Sequence, residues 1–206
     1  MAVKTKSQLK ENLRDIKDDL NLSQQVINWG SFLELQFQNS ANSMSLLKDW
    51  QIRLSTNEFK DWASNQQRFS LFFDGAAKAN PGRVGAGGVI LNPDGIRIHS
   101  FAWGLGITSS IQAEALALFQ GLKLLKVLNI RKANVFGDSQ VIINAMVTHS
   151  KPTDLRLAKL ILRITELGDS FQNLNFYHVL RANNKEADIE ANKATILTAG
   201  ALLRGG

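Results

Sequence analysis

The chain has 206 residues, 44% of them hydrophobic and 20% charged, with no cysteine. That composition can close the core of one globular domain with an appendage, and the missing thiols exclude disulfides, thiolate metal sites and cysteine nucleophiles. The formal net charge of +6 permits a polyanionic partner, and it is unevenly placed: residues 1–68 hold nine Lys/Arg against eight Asp/Glu, residues 69–206 fifteen against ten.

Residues 5–20 read as a helix on the spacing of Leu9, Leu13, Ile16 and Leu20. A second helix is expected over 22–37, with Val26, Trp29, Leu33 and Phe37 on one face, and a third over 43–54. Phe59 and Trp62 fall on a final turn over 58–63. Aromatics at helical spacing face a core more readily than they stack on bases. The polar run 64–68 reads as a linker, so a helical extension of unknown role (1–68) is expected ahead of a second domain (69–206).

From residue 69 the periodicity changes. Phe69, Leu71 and Phe73 alternate along a strand over 69–74 that runs into Asp74, with Asp74-Gly75 as a turn dipeptide. A loop on Asn80, Pro81 and Gly82 leads to a glycine-rich strand over 84–91. The turn Asn92-Pro93-Asp94-Gly95 leads to a third strand over 96–103. Ser109 and Ser110 mark the start of a helix over 111–128, with Glu114 in its first turn. A strand over 133–136 ends at Asp138, and helices follow over 139–147 and 153–168. A strand over 174–180 and a helix over 184–196 complete the order β-β-β-α-β-α-α-β-α. That order predicts an α/β fold with a mixed five-stranded sheet flanked by helices.

Four acids recur at matching places: Asp74 and Asp138 at strand ends, Glu114 and Asp188 near helix starts. Each has an ordinary explanation alone. Glu114 suits a helix dipole, Asp138 could cap a helix, and Asp188 could be surface charge beside Lys185. Together they converge on the carboxyl end of a sheet, where groups of function collect. Carboxylates gathered there repel unless cations lie among them. Oxygen-only ligands select hard ions, Mg²⁺ or in its place Mn²⁺. Two such ions about 3.5–4 Å apart clamp a phosphodiester displacement.

The same residues carry a family resemblance. The motifs are Asp74-Gly-Ala-Ala-Lys-Ala-Asn-Pro-Gly, Gln-Ala-Glu114-Ala-Leu, Gly-Asp138-Ser-Gln-Val-Ile, and the run from His178 to Asp188. From Leu71 to about Lys193 the chain resembles a type 1 ribonuclease H domain. It is most similar to the plant reverse-transcriptase-like branch, stand-alone or retrotransposon-derived. The resemblance implies a ribonuclease H-like fold and hydrolysis of the RNA strand of RNA–DNA hybrids with two Mg²⁺ ions. It implies that Asp74, Glu114, Asp138 and Asp188 hold the metal. It implies that Asn80, Pro81, Gly82 and Gln112 approach the RNA, and that Asn184 sets the last helix and belongs with the substrate-binding group. His178 and Arg181 are alternatives for proton transfer.

The usual glycine before the loop asparagine is Ala79 here, and the extra basic handle helix of bacterial members has no room. A basic face of the 153–168 helix, with Arg156, Lys159 and Arg163, is solvated or holds phosphates. The expected partner is an RNA–DNA hybrid, with neighbouring reverse transcriptase domains if the chain is part of a polyprotein. No stretch approaches the roughly 18 apolar residues of a membrane span, and polar residues 1–10 lead into no signal-peptide core. A monomer in the nucleus or cytoplasm, with no membrane partner, is therefore expected. The rival readings are a weak or inactive hybrid-binding module of a retroelement protein, and a related nuclease or strand transferase on the same fold.

Overall fold

The structure, a computed structural model, describes residues 48–78 and 82–206. The helices expected over 5–20 and 22–37 lie outside the described residues, as do Asn80 and Pro81. In chain order the elements are α1 (Thr56–Asn65), β1 (Phe69–Ala77), β2 (Gly82–Leu91), β3 (Arg97–Thr108), α2 (Ser110–Val127), β4 (Lys132–Gly137), α3 (Gln140–Thr148), α4 (Leu155–Gly168), β5 (Asn173–His178), a 3₁₀ turn (Arg181–Asn183), α5 (Lys185–Ala194) and β6 (Leu202–Gly205).

One sheet runs in the order β5-β4-β1-β2-β3-β6. β1, β2, β3 and β6 pair antiparallel in succession, while β4 lies parallel to β1 and β5 parallel to β4. The parallel pairs need crossovers. α2 supplies the first, and α3 with α4 the second. Side chains alternate across the sheet. Leu71, Phe73, Ala133 and Val135 join a core with Leu118, Leu122 and Leu125 of α2 and Ile161 and Ile164 of α4. Phe72 and Phe136 face the other way, under Phe59 of α1 and Ala187 of α5. Helices therefore cover both faces.

Among the described residues six strands are present where five were expected. The sixth, β6, has only four residues and pairs Leu202 with Trp103 and Leu203 with Ala102. A run that short carries no measurable alternation, so its strand character comes from the edge it covers. β1 also continues through Asp74 and Gly75, which pair with Gly87 and Ala86. Asp74-Gly75 is thus strand, not turn.

The N-terminal side differs as well. Within 43–54, the described residues 48–54 are not helical: Gln51 bridges His178, and Ile52 donates to the His178 carbonyl at 2.8 Å. The compact unit is Lys48–Gly206, so the boundary drawn at 68/69 falls inside it. Hydrophobic burial explains this. Phe59 meets Phe72 and Phe136 edge-on, and Trp62 meets Phe136 and Tyr177 in the same way. A capping box between Ser55 and Glu58 starts α1 beneath them.

Phe59→Ala should therefore destabilise the chain by about 3–5 kcal/mol, the cost of emptying a buried aromatic site. Urea denaturation measures it. A loss below about 1 kcal/mol would mean that α1 is not part of this core.

Candidate metal and active site

The register of the sheet brings the first two acids together. The parallel pairing of β1 with β4 ends at Phe72 opposite Phe136. Asp74 and Asp138 each lie two residues further on, so they continue that pairing side by side where the hydrogen-bonded ladder has stopped. Asp74 is 5% exposed, and its Oδ1 accepts the Gly75 N–H at 2.8 Å.

Glu114 arrives from the opposite face. Ser109 caps α2 by accepting the Gln112 N–H, and the helix starts at Ser110, which puts Glu114 in its second turn, not the expected first. Gly75 lets it in. A Cβ there would lie 2.4 Å from the Glu114 backbone nitrogen, so only glycine allows α2 this close to β1. The sequence reading missed this residue because Asp-Gly is ordinarily a turn signal. On the other side, a Cβ at Gly87 would lie 2.0 Å from the Ala191 nitrogen, and its absence seats α5 on β2.

Asp74, Glu114 and Asp138 each offer a carboxylate oxygen within 4.8 Å of the others. Burial, then the Asp138 charge, pushes the Asp74 carboxyl up to about 7, while the Gly75 N–H opposes the shift. Glu114 is driven in the same direction by burial and then by Asp74 and Asp138. Its Oε2 is fully buried and has no hydrogen-bond partner. Three crowded carboxylates with an orphaned buried oxygen have the donor chemistry of a hard divalent cation.

Asp188 lies in the first turn of α5 and outside that group of three. It is ion-paired with Arg181 at 2.8 Å, and its charge reaches Asp74. Asn184 ties the arrangement together. It precedes α5, and its Nδ2 donates to the Phe73 carbonyl at 3.0 Å and to Asp138 Oδ1 at 3.1 Å. One buried amide thus links β1, the end of β4 and the helix that carries Asp188. At 1% exposed, the side chain is withdrawn from the surface.

His178 closes β5, buried, with Nε2–H donating to the Asp138 carbonyl at 3.1 Å and Nδ1 without a partner. Burial, then the Arg53 charge, holds it below the ordinary imidazole value, so it is neutral at pH 7. Arg181 is exposed, and its bond to Asp188 raises its already high pKa. Gln112 is held at the start of α2 by the Thr108 hydroxyl. Gly82 opens β2, beside the undescribed Asn80 and Pro81.

The sequence pattern of the reverse transcriptase-like family matches residues 72–194, which contain all four acids. A ribonuclease HI from Halobacterium salinarum is 31% identical over 127 residues, covering 62% of this chain and 64% of that protein. A putative ribonuclease H protein from Arabidopsis thaliana is 30% identical over 132 residues, 62% of this chain and 20% of its own length. The chain thus spans less than two thirds of either relative. Among solved structures, LC11-RNase H1 in complex with an RNA/DNA hybrid superposes with a TM-score of 0.59 at 28% identity, over 62% of this chain and 96% of that one. The fold is that of ribonuclease H.

The raised Asp74 pKa fixes a pH dependence. Between the ordinary carboxylate value and about 7 the folded chain binds the extra proton, so stability falls as pH rises through that window and levels above it. In EDTA, Asp74→Asn should stabilise the chain at pH 8 by on the order of 2–4 kcal/mol, with the gain vanishing towards pH 4. Urea denaturation at the two pH values measures it. An Asn variant no more stable than the parent at pH 8 would contradict the crowding.

Proposed function

The chain belongs to the reverse transcriptase-like family, and on that premise we propose that it is a metal-dependent endonuclease that hydrolyses the RNA strand of RNA–DNA hybrids by a two-metal mechanism. The observation that carries this reading is the buried group of Asp74, Glu114 and Asp138, with one Glu114 oxygen left unpartnered. Relatives named as ribonucleases H, and a like structure that holds an RNA/DNA hybrid, support the same reading.

Asp74, Glu114 and Asp138 would hold one Mg²⁺, and Asp74 with Asp188 would take part in holding a second; Mn²⁺ fits the same oxygens. When bound, such ions supply an activated water and offset the charge on the leaving oxygen.

The remaining work belongs to the chain. Asn184 fixes Asp138 against β1, so the two strand-end carboxylates keep one spacing. The neutral His178 ring holds the Asp138 carbonyl and aims that loop. With Nε2 committed and the ring buried, it is poorly placed to carry a proton outward. Arg181 stays charged at any working pH and cannot relay protons either; its guanidinium steadies Asp188 and moderates the negative field. Proton exchange is then left to water at the open side, where Asp188 is partly exposed. Gln112, with Asn80, Pro81 and Gly82, would meet the RNA strand.

A labelled RNA–DNA hybrid incubated with Mg²⁺ should be cut in its RNA strand and left intact in EDTA. Asp74→Asn should lower the rate by roughly 10²-fold or more, the scale of losing one preorganised electrostatic group. Hybrid that is bound but never cut, in Mg²⁺ or Mn²⁺, would make the domain a binding module instead. Equal cutting of duplex DNA would reassign the substrate.

A further inference from the structure

The stretch just ahead of α1 lies outside the residues that the family pattern matches, yet it is bonded to the segment that sets the acids. Residues 50–54 meet the end of β5. The Trp50 carbonyl accepts the His178 N–H at 2.8 Å, and the Ile52 N–H donates to the His178 carbonyl at 2.8 Å. Further on, Asn183 Nδ2 donates to the Leu54 carbonyl at 3.0 Å. Ile52 joins the buried cluster that holds Val179 and Ala187, and Leu54 packs against the same cluster. Trp50 is buried in the core of the other face. The stretch is thus a strap, anchored in both cores.

Residues 178–188 contain the groups that orient Asp138 and Asp188. His178 Nε2–H holds the Asp138 carbonyl, Asn184 holds Asp138 Oδ1 and the Phe73 carbonyl, and Arg181 pairs with Asp188. The strap grips this segment at His178 and at Asn183, on either side of Arg181 and next to Asn184. Between those points the chain is a single 3₁₀ turn, which has few bonds of its own. Connections of that kind open locally at low cost unless something outside holds them. Asn183 Oδ1 is buried without a partner, so the amide gives up water in order to reach the strap.

We propose that residues 50–54 are a positioning strap for the carboxylate site: Ile52 and Asn183 hold segment 178–188 in place, and through it the spacing of Asp138 and Asp188. This rests on the reading of the acids as a divalent-cation site. Ile52 and Asn183 act through His178, Arg181 and Asn184 and not as ligands. The N-terminal side is therefore part of the architecture of the site as well as cover for a hydrophobic face.

The test compares three variants of the full chain with the parent. Asn183→Ala cuts the side-chain tie. Ile52→Ala keeps the backbone bonds and loosens the anchor. Ile161→Ala removes the same atoms from the core of the other face. Two quantities are read well below melting: Mn²⁺ affinity by calorimetry, and amide hydrogen exchange in EDTA by NMR. Asn183→Ala should speed exchange at Val179 and Asp188 by about 5-fold relative to amides of α4, the equivalent of one ordinary hydrogen bond. Both strap variants should weaken Mn²⁺ binding on the order of 10-fold, the lower end of the loss when a metal ligand is deprived of its support. Ile161→Ala, though it destabilises the chain, should change that affinity less than about 2-fold, as independent sites do.

Melting curves check that each variant folds, and if Ile52→Ala melts too early to titrate, Asn183→Ala decides alone. An equal loss of affinity from Ile161→Ala would overturn the proposal, because the strap would then serve stability only. Unchanged exchange at Val179 and Asp188 would overturn it as well. A parent that binds no Mn²⁺, while Asn183→Ala still loosens those amides, sinks the cation reading and keeps the strap. A parent that binds, beside strap variants that bind equally well, sinks the strap alone.

Discussion

The structure depends on one uncomfortable contact. Sheet register sets Asp74 and Asp138 side by side, and a helix from the other face delivers Glu114 into the same space. Like charges this close in a partly dry setting cost several kcal/mol unless protons or cations intervene. The chain tolerates the contact because the hydrophobic layers on both faces of the sheet hold the strands and helices rigidly. The repulsion is stored by the fold and would be relieved by a cation bound among the three acids.

Small groups make the close approach possible. Gly75 removes the side chain that would hold α2 off β1, and Gly87 does the same between β2 and α5. Asn184 then stitches the three carboxylate-bearing segments on its side through a single amide. Its Oδ1 is buried without a partner, a cost of about 1–3 kcal/mol accepted at the centre of the site. Placement of the acids is thus a property of backbone contacts as much as of the acids themselves.

Much of this could be read in the sequence. Phe69, Leu71 and Phe73 marked β1, Ser109 marked the start of α2, and the four acids stood out by their positions at element ends. What could not be read was set by tertiary contact. β1 runs on past Asp74 because glycines in β2 accept it as a partner. Residues 48–54 carry helical spacing yet form a turn at 49–50 and a bridge at Gln51, since His178 offers the Ile52 N–H and the Trp50 carbonyl a sheet edge. The resemblance already implied that Asn184 sets the last helix, but its bonds to the Phe73 carbonyl and to Asp138 could only be read from the packed fold. Asp188 has the expected place on its helix, but pairing with Arg181 sets it apart from the other three acids.

The central claim is that the three crowded carboxylates form a divalent-cation site. Calorimetric titration of the full chain with Mn²⁺ at neutral pH tests it most directly, beside Asp138→Asn and Glu114→Gln. The account predicts saturable binding to the parent chain, weakened by roughly 10-fold or more in each variant. Binding of equal strength in all three proteins, or no binding to the parent, would contradict it.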